Sequence, residues 1–206
     1  WRVLFDPAVK LVSCTGFAFL IAALTSVTAE SATRFAKADG YRGIWYFNQP
    51  SKDEYRYKYS GGFATYPQQH SPIAIHCKPV KKTFFVYGGT AARQPGERQE
   101  LLHMVSFFDH ATGRLPRPTI LLNKKTDDAH DNPVLSVDDH GFLWVFSPSH
   151  GTGRPSYIHR STEPYSIESF ERVAITNFSY PQPWFIPGRG FLFLQTRYNA
   201  PGAGKA

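Results

Sequence analysis

Three times the chain leads a polar residue and a proline into a short apolar stretch. The starts are His70-Ser71-Pro72-Ile73-Ala74-Ile75, Asp131-Asn132-Pro133-Val134-Leu135-Ser136 and Tyr180-Pro181-Gln182-Pro183-Trp184-Phe185. Each leads through a turn to a stronger apolar stretch: TFFVYGG, FLWVFSP and FLFLQTR. The starts lie roughly 50–60 residues apart, near the length of one propeller blade. Around them the apolar runs are short, rich in β-branched and aromatic residues, and bounded by Gly, Pro, Asn and Asp, which is the signature of strands. The runs fall at 73–76, 83–87, 102–109, 119–122, 134–137, 143–147, 156–161, 172–174, 184–186 and 191–197. Asp138-Asp139-His140-Gly141 and Pro187-Gly188-Arg189-Gly190 read as hairpin turns between neighbouring strands. The expected fold is all-β: a β-propeller of four-stranded blades over residues 39–206, with about three blades present. An ordinary sandwich with coincidental prolines is the alternative. A closed propeller needs roughly four to eight blades, and the chain ends at Gly202-Ala203-Gly204-Lys205-Ala206 directly after a strong strand. An N-terminal fragment of a longer protein is therefore expected.

The first residues read differently. Lys10 precedes an apolar run over 11–24, and Ser26-Val27-Thr28-Ala29 then offers the small residues of a cleavage site. This is the pattern of a secretory signal peptide over 1–29; an N-terminal membrane anchor or a first buried helix would use similar residues. Residues 30–38 are small and polar and read as a linker. The expected compartment is secreted or periplasmic, with no membrane attachment after cleavage.

The whole chain has 23 basic and 16 acidic residues. Removal of Arg2, Lys10 and Asp6 with the first 29 residues leaves 21 and 15, still a net +6. A basic exported domain suits an anionic partner. The cations are scattered and form no dense basic run, so an acidic polysaccharide is expected in place of nucleic acid. Cys14 belongs to the signal segment, which leaves Cys77 alone in the mature chain. Neither an intrachain disulfide nor a cysteine zinc site can form from it, and it reads as a buried strand residue.

Chemistry concentrates at strand ends. His130 precedes the strand at 134–137 and His150 follows the strand at 143–147. If these two strands form an antiparallel hairpin, both imidazoles reach its open end, where they serve as acid, base or cation. Two structural loop histidines would be the bland explanation. Tyr180 and Arg197 hold equivalent places around the next hairpin. Arg matches a carboxylate with its fork, and a tyrosine beside a cation is activated as a base. A packed aromatic and a surface charge are the simpler readings of this pair. His70 stands at the same position in the first unit. Asp127, Asp128 and Asp131 offer oxygen ligands to a structural divalent cation, though a solvated acidic loop is the commoner use of such residues. No catalytic metal and no cofactor are expected. Residues 136–144 resemble a degenerate Asp-box turn, with one extra residue and Leu143 where Thr is usual.

Together Asp39-Gly40-Tyr41-Arg42-Gly43-Ile44-Trp45, Lys82 through Gly89, His130-Asp131-Asn132-Pro133, His150-Gly151 and Tyr180-Pro181-Gln182 resemble the BNR-repeat-containing proteins, over most of residues 39–199. That family includes seven-bladed propeller polysaccharide lyases acting on ulvan. The resemblance implies a catalytic set of His130, His150, Tyr180 and Arg197, with His70, Asn132 and Gln182 binding substrate. The implied reaction is β-elimination at a uronic acid; a monomer is expected. A non-catalytic carbohydrate-binding propeller and a sialidase-like glycoside hydrolase are the alternatives; the hydrolase needs a carboxylate pair or activated tyrosine with an arginine cluster, of which only the tyrosine is evident.

Overall fold

The computed structural model describes residues 35–41, 71–91 and 100–198. The signal segment, His70 and residues 42–45 of the family-like motif lie outside the described residues. Two four-stranded antiparallel sheets and a two-stranded hairpin follow one another along the chain. The first sheet is β1 (Ala74–Cys77), β2 (Lys82–Gly89), β3 (Leu102–Asp109) and β4 (Thr119–Asn123). The second is β5 (Val134–Val137), β6 (Leu143–Ser147), β7 (Ser156–Ser161) and β8 (Phe170–Thr176). The hairpin joins β9 (Ser179–Ile186) to β10 (Gly190–Thr196). Strands pair in chain order, so each sheet is a meander. Among the described residues the only helical pieces are 3₁₀ turns at Lys78–Val80 and Ala129–Asp131, and none is long and apolar enough to cross a membrane.

The alternation of β6 shows how the sheets stack. Successive side chains on a strand point to opposite faces. Leu143 and Val145 join Phe84, Val86, Val105, Leu135 and Phe170 in a buried layer between the first and second sheets. Phe146, next along β6, packs with Val134 and Phe178 against Phe191 and Phe193 of the hairpin. The second sheet is thus apolar on both faces, as a middle layer must be. The first strands of successive units sit side by side: β5 contacts β1 and β9, and Leu135 N–H donates to Pro72 O at 2.8 Å. Cys77 is buried at the end of β1 and forms no disulfide among the described residues, and burial raises its thiol pKa.

The Asp-box-like stretch closes the β5–β6 turn. Asp138 Oδ1 accepts N–H bonds from His140 (3.0 Å) and Phe142 (2.9 Å), and Trp144 Nε1 donates to Oδ2 at 2.9 Å. Gly141 takes φ +86° there, with Tyr165 packed against it.

Three details differ from the sequence reading. Residues 35–38, read as linker, run along the first sheet: Ile120 N–H donates to Ala36 O and Ala38 N–H to Pro118 O, both at 2.9 Å. The strand read at 172–174 extends over Phe170–Thr176, because its backbone pairs with β7 from Ser161 opposite Phe170 to Ser156 opposite Thr176 although most of its side chains are exposed. The strand read at 184–186 begins at Ser179 and contains Pro181 and Pro183. A proline lacks the N–H that a ladder needs, but among the described residues β9 pairs on one side only, so that N–H is not missed.

Candidate functional site

The β5–β6 hairpin is real, with Val134 opposite Phe146 and Val137 opposite Leu143. Its open end carries His130, in the 3₁₀ turn before β5, and His150, just past β6. The two rings stack with centroids 4.2 Å apart and planes 25° apart. Tyr180 closes the group, its ring centroid 6.0 Å from His130 and 5.9 Å from His150. Three residues singled out from the sequence therefore meet at one place.

A cluster of charges sits with the rings. Asp128 Oδ1 lies 2.6 Å from His130 Nδ1, and Oδ2 lies 3.2 Å from His150 Nδ1. Asp128 Oδ1 also accepts the backbone N–H of His130 at 3.0 Å. Arg154 Nη2 donates to Asp128 Oδ2 at 3.1 Å and to Asp131 Oδ1 at 2.8 Å, while its Nε donates to Asp131 Oδ2 at 2.9 Å. Asp131 is fully buried; it also accepts the N–H of His150 at 2.7 Å and faces Lys124 Nζ at 3.5 Å. Burial pushes the Asp128 carboxyl pKa up, but the hydrogen bonds and charge of His130, with a bond from His150, outweigh it and hold the pKa well below the usual carboxylate range. The bond to Asp131 raises the Arg154 pKa against the effect of burial. Burial lowers that of Lys124 although Asp131 lies beside it.

Tyr180 reaches the histidines from an unusual backbone. It is the second residue of β9, not a residue before it, and has φ +50°. A non-glycine residue in that region costs about 1 kcal/mol, and the β9–β10 register shifts at this point, between Leu194 and Thr196. Ser179 Oγ donates to Ser149 O and accepts from Gly151 N–H. Asn177 Nδ2 bonds Ser149 Oγ, Gly151 O and Arg154 O. These bonds tie the 149–154 loop to the segment leading into β9, which brings His150 next to Tyr180.

The other expected site residues lie elsewhere. Arg197 follows β10 and is exposed. It lines a shallow groove with Thr152, Thr176, Asn177, Gln195 and Tyr198. Tyr198 connects that groove to the rings, its centroid 5.7 Å from His150. Asn132, expected to touch substrate, is 1% exposed; it packs so closely on Gly88 that a Cβ there would lie 2.0 Å from its Oδ1. That is a packing position, because the proline-led entry to β5 tucks it between the sheets. Gln182 is half-buried on β9 opposite Leu194.

Asp128, His130 and His150 offer donor atoms within 4.8 Å of one another, close enough for a metal ion. The bonds to Asp128 compete with that use: His130 Nδ1 meets Oδ1 at 2.6 Å and His150 Nδ1 meets Oδ2 at 3.2 Å. Arg154 already holds the Asp128 oxygen that a cation would take. The arrangement suits proton transfer better than metal binding. Asp128, Asp131 and Arg154 were not legible as a unit in the sequence. The nearest signal was the grouping of Asp127, Asp128 and Asp131 as oxygen ligands, which did not include Arg154.

No family model matches the chain, and no curated protein matches it. Solved structures similar to this chain include two of one lyase. One is described as a new family of polysaccharide lyase, a PL25 ulvan lyase, at TM-score 0.48 and 18% identity, over 63% of this chain and 35% of that one. The other is described as that lyase bound to -[GlcA(1-4)Rha3S]-, at TM-score 0.47 and 15% identity, over 82% of this chain and 38% of that one. The chain spans little more than a third of the length of either structure.

Proposed function

We propose that the chain is part of an exported β-propeller that cleaves a uronic-acid-containing polysaccharide, ulvan-like in its acidity, by β-elimination. The observation that carries this reading is the meeting of His130, His150 and Tyr180 around one ionised carboxylate. β-Elimination needs a base to take the C5 proton and an acid to protonate the departing O4, with the bond electrons closing a C4=C5 double bond. A tyrosine hydroxyl and two imidazoles in mutual contact supply both groups. The carbanion formed at C5 spreads charge onto the uronic carboxylate, and a cation there lowers the barrier. Arg197, in the groove that meets the rings at Tyr198, is the residue for that task. The net positive charge favours the same polymer. We further propose that the protein acts as a monomer in the secreted or periplasmic space.

The test is to mix the protein with ulvan and with other uronic polysaccharides and follow ultraviolet absorbance of the unsaturated product. Rising absorbance supports the lyase. Binding with neither absorbance nor new chain ends replaces it with a carbohydrate-binding module, and new reducing ends without unsaturation replace it with a hydrolase.

A further inference from the structure

We propose that Asp128 is a positioning residue that fixes His130 and His150 in one tautomeric form, hydrogen on Nδ1, so that both rings exchange protons only through Nε2. The catalytic consequence rests on the lyase reading; the tautomeric claim stands on geometry alone.

The argument is one of donors and acceptors. An ionised carboxylate has lone pairs and no hydrogen, so every partner it bonds must donate. Asp128 spends one oxygen on each imidazole, Oδ1 on His130 Nδ1 at 2.6 Å and Oδ2 on His150 Nδ1 at 3.2 Å. Each Nδ1 therefore carries hydrogen. This is true of the neutral ring and of the cation alike, so only Nε2 changes between the two states. Arg154 and the His130 backbone N–H hold the carboxylate from other directions, and Arg154 is itself anchored on buried Asp131. The strongly lowered pKa of Asp128 keeps the acceptor ionised throughout the range in which an enzyme works. One carboxylate thus orients two rings that come from the two arms of one hairpin, side by side at its open end, as a single carboxylate orients one histidine in a catalytic triad.

The test is nitrogen NMR of the full chain labelled with ¹⁵N-histidine, at alkaline pH where imidazoles are neutral. Of the eight histidines, His130 and His150 are assigned by loss of their signals in His130→Gln and His150→Gln. Both are expected as Nδ1–H tautomers. A neutral Nε2–H signal from either ring overturns the proposal, and this measurement needs no variant of Asp128. In Asp128→Asn the amide accepts at one atom and donates at the other, so one ring is expected to switch to Nε2–H. On a uronic polysaccharide the same variant is expected to lose about 100-fold in kcat with KM nearly unchanged. Unswitched tautomers in the variant, or an unchanged kcat, overturn the positioning role. Absence of lyase activity in the unsubstituted protein overturns the proposed function and leaves the tautomer result to stand or fall separately.

Discussion

His130 and His150 stack face to face, 4.2 Å between ring centroids, although one precedes β5 and the other follows β6. The contact exists because the hairpin between them has matched strands and a short turn braced by Asp138. Anything that lengthens one strand by a residue would turn one ring to the other face.

The first prediction concerns the rings. If they carry general acid and base roles, His150→Ala and Tyr180→Phe each lower kcat on uronic polysaccharide by about 10²–10⁴-fold. Circular dichroism of both variants is expected to match the parent. Full activity in Tyr180→Phe would remove Tyr180 from proton transfer.

Arg154→Met tests the charges that hold the rings. Asp131 is fully buried, and Arg154 gives it two hydrogen bonds. Removing one partner of a buried pair leaves a charge stranded, at a cost of about 3 kcal/mol. Lys124, 3.5 Å from Asp131, keeps the loss from being larger. The denaturant midpoint is expected to fall accordingly, and a change below about 0.5 kcal/mol would mean that the network adds nothing net.

Gly141→Ala tests the β5–β6 turn. The residue has φ +86°, and a Cβ would lie 2.4 Å from Tyr165 Cε2. Strained backbone and displaced ring together are expected to cost about 3 kcal/mol, read as a lower melting temperature. Asp138→Ala acts on the same turn by freeing the N–H groups of His140 and Phe142.

His159 makes stability depend on pH. It is 5% exposed, and burial, with a smaller effect from Arg172, pushes its pKa down to about 4 from an ordinary 6.5. The unfolded chain therefore takes up the proton first as pH falls. Stability is full above about pH 6.5 and drops by about 3 kcal/mol by pH 4, from 1.36 kcal/mol per unit. Denaturant titrations at pH 7 and pH 4.5 measure the difference. His159 Nδ1 has no hydrogen-bond partner among the described residues, so His159→Leu is expected to fold and to flatten this part of the profile.

Local chemistry was enough to read much of the architecture. Short β-branched and aromatic runs between turn residues located strands at nearly all the positions observed, because a half-buried strand is a two-residue pattern visible without any partner. Asp138-Asp139-His140-Gly141 declared its turn for the same reason. The strand at β9 was cut short because Pro181 and Pro183 argue against a ladder, and only the tertiary structure shows that among the described residues it pairs along one edge, with β10. The histidine pair was legible from hairpin geometry. The carboxylate between them was not: Asp128 looked like one of several acidic loop residues until Arg154, from a loop beyond β6, came to rest against it.

The sequence by itself determined strand type, turn placement and the end of the hairpin at which two imidazoles arrive, since each depends on residues close along the chain. The tertiary structure decided the rest. It set which face of β6 meets which neighbour, buried Asn132 against Gly88, left Arg197 in the adjoining groove and hung both histidines on Asp128. Those outcomes depend on distances between segments far apart in the chain, which close packing fixes and local pattern does not encode.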